Sequence, residues 1–209
     1  MMNLAAAFGA MVGAGSAAIT SIRLGQGNRA AAEHILGNVV LLNTIMGVLF
    51  TFLGLYFLEE LLYFFGASPD TIGYAGDFMR VILYGNVVTH MYLGLNNMLR
   101  VSGYPKMAMY LMLLSVAINL ALCPLFIFGF GWGIAGSAWA TVIGQTVPLI
   151  LQIIHFSKPT TFLRFRRGIF RLSGSIIKSI LSIGMAPFMI QSCACVVVII
   201  VNNTLATHG

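Results

Sequence analysis

The sequence predicts an all-α protein that crosses a membrane several times. Of its 209 residues, 59% are hydrophobic and only 8% are charged, whereas soluble domains average roughly 25% charged residues. So few charges cannot cover a water-facing surface of this size. The hydrophobic residues also form long continuous runs, each close to the roughly 20 residues that a helix needs to cross the hydrocarbon of a bilayer. We therefore expect the lipid bilayer to be the protein's main partner.

Six of these runs are predicted to span the membrane. They cover residues 3–24, 31–58, 71–97, 107–130, 134–156 and 175–201. Most connectors between them are short, so neighbouring spans are expected to run antiparallel. The exception is the segment 158–174, which is longer and basic and indicates a linker between two bundles.

Helix-ending residues mark the connectors. Gly25 and Gly27 are predicted to end the first span, and Gly103 and Pro105 to end the third. Ser68-Pro69-Asp70 has the pattern of a helix start, with an N-cap, a first-turn proline and an acid near the positive end of the helix dipole. A cluster of glycines within residues 129–136 is predicted to turn the chain between the fourth and fifth spans.

The charges predict the orientation of the spans, because basic residues near span ends stay on the cytoplasmic side. Counted over the residues named below, one set of alternate connectors carries a net charge of about +9 and the other about −3. The first set holds one acid, Glu33, and ten basic residues: Arg23, Arg29, Arg100, Lys106, Lys158, Arg164, Arg166, Arg167, Arg171 and Lys178. The other set holds Glu59, Glu60, Asp70, Asp77 and Arg80. The linker is therefore expected in the cytoplasm of a cell-membrane protein, and the start of the first span outside.

Other classes fit the composition poorly. The net charge of +6 could indicate nucleic-acid binding, but the apolar runs leave no basic face for phosphates to follow. No metal site is expected, because Cys193 and Cys195 would point to nearly opposite sides of a helix and no histidine lies nearby. No enzymatic function or resident cofactor is predicted.

The first span carries small residues at every fourth position, which predicts a central, closely packed helix. The linker mixes aromatic and basic residues, a pattern typical of a segment that lies on an anionic membrane surface, and a plain topology signal explains it equally well. With a span at each end of the chain and no loop before the first, we expect a fragment with both ends missing.

The spans contain few polar side chains, and no Asp or Glu lies near a span centre. His90 is the one histidine well inside a span and is a candidate proton carrier, although a packing role is the alternative. The neutral amides are expected to hydrogen-bond between helices. They are Asn38, Asn43, Asn86, Asn96, Asn97, Asn119, Gln145, Gln152 and Gln191.

The fourth span holds the strongest candidate binding site. Asn119 and Cys123 lie one turn apart on the same helix face. Pro124 has no backbone N–H, so the carbonyl of Leu120 is expected to be free. Together with the hydroxyl of Thr141 in the fifth span, these groups could hold a small cation. The alternative is an ordinary proline kink. Prolines also occur in the last two spans, and bent helices are typical of transporters.

At these connectors and kinks, the chain resembles the multidrug and toxic compound extrusion (MATE) transporters. The resemblance extends over essentially the whole chain. The matching segments are Gly13-Ala-Gly-Ser, Ser21-Ile-Arg-Leu-Gly-Gln-Gly-Asn28, Leu99-Arg-Val-Ser-Gly-Tyr-Pro-Lys106, Asn119-Leu-Ala-Leu-Cys-Pro-Leu-Phe-Ile127, Gly133-Ile-Ala-Gly-Ser-Ala-Trp-Ala-Thr141 and Gly184-Met-Ala-Pro187.

The resemblance implies that the spans are the second to seventh of twelve. Residues 1–157 would be most of the amino-terminal bundle, 158–174 the linker, and 175–209 the first helix of the second bundle. The missing helices would be further partners. The resemblance also implies alternating access, with small amphiphilic or cationic substrates expelled against an inward flow of H+ or Na+.

In many members of this family, an acid in the first helix, an Asn and an Asp in the fifth and a Thr in the sixth bind the coupling cation. Asn119 and Thr141 match these positions, but Cys123 replaces the Asp. Some members use an acid in the seventh helix, and the corresponding last span has none. A neutral thiol cannot supply the negative charge that favours Na+ or stores a proton.

Two alternative functions are compatible with these features. A flippase for lipid-linked sugars would share the bundle, but basic residues should then line its cavity, and the span centres lack Lys and Arg. A membrane scaffold that does not transport is the other alternative. Accessibility of Cys123 to water would separate a scaffold from a transporter, because a scaffold should keep this thiol dry.

Overall fold

The computed structural model describes residues 2–64, 71–166 and 168–208. Within these ranges the chain forms α-helices, one π-helical turn and short connections. The helices are α1 (Met2–Gly25), α2 (Arg29–Tyr56), α3 (Leu58–Phe64), α4 (Ile72–Tyr84), α5 (Asn86–Val101), α6 (Pro105–Pro124), α7 (Gly133–Ser157) and α8 (Gly174–His208), and the π turn is Leu125–Gly129. The predicted all-α fold class is confirmed.

Five helices are long and apolar enough to cross a membrane. They are α1, α2, α6 with its π-helical extension, α7 and α8, and they agree with five of the six predicted spans to within a few residues at most ends. The surface of α6 is typical of a membrane helix, because Leu113, Val116 and Leu120 are all more than half exposed. A helix of this kind is stable when lipid covers it.

The third predicted span, 71–97, consists of two helices, α4 and α5, that meet at Gly85. The irregularity is confined to one residue, because Gly85 keeps right-handed helical dihedral angles (φ −80°, ψ −2°), its N–H bonds the Val81 carbonyl at 3.1 Å and its carbonyl accepts from the Thr89 N–H at 3.0 Å. Two neighbouring helices lie close at this point. A Cβ atom on Gly85 would overlap the side chain of Val142 in α7, and the Asn86 amide donates a hydrogen bond to the Gly47 carbonyl of α2, 3.2 Å away. The predicted helix start at 68–70 lies outside the described residues.

The glycine signals at two helix ends are confirmed. After α1, Gly27 has a φ of 72° and the Asn28 N–H reaches back to the Arg23 carbonyl at 2.9 Å. After α5, Gly103 has a φ of 90° and the Tyr104 N–H bonds the Leu99 carbonyl at 3.0 Å. This is the Schellman pattern, which needs a left-handed residue that glycine adopts without strain. Both turns reverse the chain in the way the short connectors predicted.

Helix α1 is central, as its small residues predicted, and it packs against α2, α5 and α8. Its closest approach is to α8. A Cβ atom on Gly15 would overlap the carbonyl oxygen of Ile180, and one on Gly184 would overlap the carbonyl oxygen of Met11. The two glycines therefore face each other's helix backbones reciprocally in this antiparallel pair, an arrangement that permits close dispersion contact and Cα–H···O interactions.

The linker packs onto the protein, whereas the aromatic and basic pattern predicted a segment lying on the membrane surface. Leu163 is fully buried and Ile169 nearly so. The backbone carbonyl of Ile169 lies where a side chain on Gly37 of α2 would be. The amide of Asn38 donates to the Arg171 carbonyl at 3.1 Å and accepts from the Ser173 N–H at 2.9 Å. Residues 158–173 are thus attached to α2 by specific contacts.

A buried carboxylate reinforces this attachment. Glu33 of α2 has a side chain that is only 4% exposed, and its Oε2 lies 3.2 Å from Nε of Arg166 in the linker. Its Oε1 lies 3.4 Å from Nε of Arg29, without hydrogen-bond geometry. Arg29 also donates to the Thr161 carbonyl at 3.1 Å. Glu33 therefore connects the start of α2 to the linker directly at Arg166 and, through Arg29, at Thr161.

Candidate functional site

The structure brings together two of the predicted site residues, Asn119 of α6 and Thr141 of α7. The Asn119 Nδ2 atom donates a hydrogen bond to Thr141 Oγ1 at 3.0 Å. The Thr141 hydroxyl in turn donates to the Ser137 carbonyl at 3.0 Å. Because Thr141 Oγ1 already donates and accepts, the Asn119 Oδ1 atom is the acceptor of this pair that has no partner among the described residues.

Glycine in α7 permits this contact. Gly144 lies one turn after Thr141, and a Cβ atom there would be 3.0 Å from the Ser115 carbonyl and 3.4 Å from the Asn119 side chain. A larger residue would push α6 away by several tenths of an ångström. The absence of a side chain at Gly144 therefore sets the short separation at which Asn119 and Thr141 can meet.

The proline in α6 changes the helix type rather than only bending it. Helix α6 ends at Pro124, and the next five residues, Leu125–Gly129, form the π turn, in which the Phe130 N–H bonds the Leu125 carbonyl at 3.0 Å. π turns are frequently found at functional sites. Pro124 cannot donate to the carbonyl of Leu120, so the predicted free carbonyl lies next to this irregular segment.

Cys123 and Leu120 are the other two predicted site residues. Among the described residues, no hydrogen bond joins either of them to Thr141. Cys123 is a free, half-buried thiol. The Leu120 side chain is 73% exposed and points away from the bundle, so only its backbone could serve a site. The donor set near Asn119 therefore consists of neutral oxygens and a thiol, without a carboxylate from the described part of the chain.

His90 lies in α5 and is buried between helices. Its ring stacks on Phe50 of α2 with centroids 6.1 Å apart, and a Cβ atom on Gly9 of α1 would be 3.2 Å from its Nδ1. Phe8 and Phe188 extend this aromatic contact from α1 to α8. These contacts explain a packing role, and the predicted role as a proton carrier stays a prediction.

Sequence reasoning did not predict that polar contacts from three other helices converge on α5. Thr89 donates to Gln145 of α7 at 2.6 Å, and Asn96 donates to the Ala108 carbonyl of α6 at 3.0 Å. The Asn97 amide lies against Gly13 of α1. The amides were predicted to bond between helices, but their partners on three different helices could not be read from spacing along the chain.

Comparison with known proteins gives a consistent family assignment. A sequence model of the MatE family matches residues 1–125. The multidrug export protein MepA of Staphylococcus haemolyticus is 26% identical over 203 residues, which cover 97% of this chain and 45% of that protein. The probable multidrug resistance protein YoeA of Bacillus subtilis is 27% identical over 164 residues, which cover 77% of this chain and 35% of that protein.

Solved structures show the same likeness. An inward-facing conformation of a multidrug resistance MATE family transporter of the MOP superfamily has a TM-score of 0.84 and 28% identity, and the match covers 91% of this chain and 43% of that one. The chain thus spans less than half the length of the relatives it matches. The relatives are named as exporters and transporters, and the apolar helices of this chain are those of a multi-pass membrane protein.

Proposed function

The chain belongs to the MatE family, and from this premise we propose that it works as part of a secondary antiporter that exports drugs or toxic organic cations by alternating access. In this proposal residues 1–157 form most of the amino-terminal bundle, 158–174 the linker, and 175–209 the first helix of the second bundle. The relatives named as multidrug export proteins support the substrate class.

The observation that carries the proposal is the hydrogen bond between Asn119 and Thr141. This bond orients the Asn119 amide so that its nitrogen faces Thr141 and its oxygen is free for a ligand. Neutral oxygens next to an interrupted helix are the kind of group that coordinates Na+ or a hydrated proton in transporters. Because Cys123 adds no negative charge, we propose that the driving ion, H+ or Na+, also needs a carboxylate elsewhere in the assembled transporter.

The proposed site predicts a loss of export when the amide is removed. We expect Asn119→Leu to reduce efflux of a fluorescent cationic dye at least about tenfold, because a lost ligand to a charged group costs about 1.5–3 kcal/mol. The measurement is dye efflux from cells that express the full-length transporter containing this chain, compared with cells that carry an empty vector.

Leu113→Ala is the matched control for this experiment. It shortens a side chain of the same helix that is 57% exposed and supplies no group to the proposed site, so efflux should stay near the wild-type level. Equal efflux by Asn119→Leu and wild type would exclude the site, and no efflux above the vector background in the wild type would exclude the function.

The proposed orientation places the basic connectors in the cytoplasm, and it predicts opposite accessibility at the two ends of α4 and α5. Single cysteines in place of Asp77 and of Arg100, in a background without native cysteines, should react with a membrane-impermeant thiol reagent from outside and from inside, respectively. A cysteine at Val116, which is 61% exposed near the middle of α6, should react from neither side. Labelling of the Asp77 and Arg100 positions from the same side would overturn the orientation.

A further inference from the structure

A fully buried amide in α7 has no hydrogen-bond partner. Gln152 is 0% exposed, and neither its Nε2 nor its Oε1 is bonded to a described residue. Leaving a buried polar group unpaired costs about 1–3 kcal/mol. Buried polar groups of this kind are usually satisfied by an internal water molecule, which makes two to four hydrogen bonds.

The register between α5 and α7 places Gln152 beside Asn96. These two helices run in the same direction, with Gly85 against Val142 and Thr89 bonded to Gln145. Seven residues further along both helices, two turns on, Asn96 and Gln152 are at the same level.

The register between α6 and α7 places the same level against the start of α6. These helices run antiparallel, with Ser115 against Gly144 and the Tyr104 ring against the His155 ring at 4.6 Å. Between these two contacts, Ala108 faces the turn that contains Gln152. The Ala108 carbonyl already accepts from Asn96 at 3.0 Å, so three helices meet here around one polar contact that does not include Gln152.

The chemistry of the amide selects the ligand. Gln152 needs a hydrogen-bond acceptor for Nε2 and a donor for Oε1. A water molecule is both, whereas a bare cation could bind Oε1 but would repel the Nε2 hydrogens. The surrounding core is apolar, with Leu111, Leu149 and Phe156 all buried in one cluster, and a charge is costly in such a place.

We propose that Gln152 holds a buried water molecule between α5, α6 and α7, and that this water belongs to a polar route from the Asn119–Thr141 pair to the basic end of the bundle. Along α7, with its rise of 1.5 Å per residue, Gln145 lies about 6 Å beyond Thr141, and His155 about 4.5 Å beyond Gln152. The phenol of Tyr92 hydrogen-bonds Ser115, which lies opposite Gly144, so it adds a polar group at the level where Gln145 begins this route.

The last position of the route is also unsatisfied. His155 Nε2 is buried without a hydrogen-bond partner among the described residues, although its ring packs on Tyr104. Gln152 and His155 lie one turn apart, and a short row of water molecules would hydrogen-bond to the unpaired groups of both. The water site stands on the geometry alone, and the use of the route by the driving ion rests on the proposed function.

Radiolytic footprinting of the full chain in lipid nanodiscs tests the water site. X-rays split bound water next to its binding site, so side chains beside it become hydroxylated even when bulk solvent cannot reach them. We expect Phe156 and Leu149 to be labelled, with slow uptake of oxygen-18 after mixing into heavy-oxygen water. Leu163, which is equally buried, serves as the reference and should stay unlabelled.

Two variants make the experiment decisive. Gln152→Leu should lower the labelling of Phe156 at least about fivefold, which corresponds to about 1 kcal/mol lost from water occupancy at RT near 0.59 kcal/mol. Gln152→Met keeps the side-chain length but offers neither an N–H donor nor an amide oxygen, so it should also lose the label. Wild-type protein without label at Phe156, or label unchanged in both variants, would overturn the proposal.

The outcomes separate this inference from the proposed function. Labelling at Phe156 in a protein that exports no dye keeps the water site and removes both the exporter and the route. Dye efflux at the wild-type rate in both Gln152 variants, after their label is lost, would overturn the route while leaving the exporter intact.

Discussion

Replacing Gly15 by alanine is expected to separate α1 from α8 and to destabilise the protein by about 1–3 kcal/mol, the usual cost of overpacking. The added Cβ would overlap the carbonyl oxygen of Ile180, and a backbone atom cannot move aside in the way a flexible side chain can. The expected readout is a lower unfolding temperature, measured by the reaction of a thiol dye with Cys195. This thiol is buried in α8, and the other two cysteines would be replaced by serine.

Gly73→Ala provides the matched control for this prediction. It is the same substitution within a helix, and no described residue outside the adjoining helix backbone lies within 4 Å of the added Cβ, so it should leave the unfolding temperature unchanged or slightly higher. Gly184→Ala should behave like Gly15→Ala. The double variant should cost less than the sum of the single ones, because either substitution already opens the same contact. Identical unfolding temperatures for Gly15→Ala and Gly73→Ala would show that α1 and α8 do not approach closely.

Replacing Glu33 by leucine is expected to release the linker. The substitution leaves Arg29 and Arg166 without their shared carboxylate, and a lost partner to a charged group costs about 1–3 kcal/mol. The value belongs near the lower end, because the two arginine side chains are 44% and 53% exposed and can be hydrated. The measurement is trypsin cleavage within 158–173, which we expect to become several-fold faster.

The exposed ion pair between Arg80 and Asp77 is the control for Glu33. Its side chains are 52% and 66% exposed, and exposed pairs contribute little. Asp77→Asn should therefore leave trypsin cleavage of the linker unchanged. Cleavage of Glu33→Leu at the wild-type rate would mean that the contacts of Asn38 alone hold the linker on α2.

The spans were predictable because their length and apolar content are local properties of the chain. The ends at Gly27 and Gly103 were equally local, since each depends on a single residue that tolerates a positive φ. The junction at Gly85 was not predictable in this way. The contacts made there are with α7 and α2, through Val142 and the Gly47 carbonyl, and no pattern within the third span carries that information.

The candidate site follows the same division. Asn119 and Cys123 could be placed on one face from their spacing. Thr141 was included as a hydroxyl from the next span, and the structure brings it within hydrogen-bond distance of Asn119. The packed linker was missed because aromatic and basic residues fit a membrane surface equally well. Only the fold reveals that Glu33, noted in the sequence as a lone acid among basic connectors, lies against Arg166.

The junction at Gly85 also bears on how the protein enters the membrane during its synthesis. At 1.5 Å per residue, α4 is about 20 Å long and α5 about 24 Å, and neither alone crosses about 30 Å of hydrocarbon. Helix α5 further carries Asn86, Asn96 and Asn97, which are unfavourable in lipid until they find partners. We therefore expect the nascent α4–α5 pair to leave the insertion machinery as one unit packed against α2, whose Gly47 carbonyl accepts the hydrogen bond from the Asn86 amide.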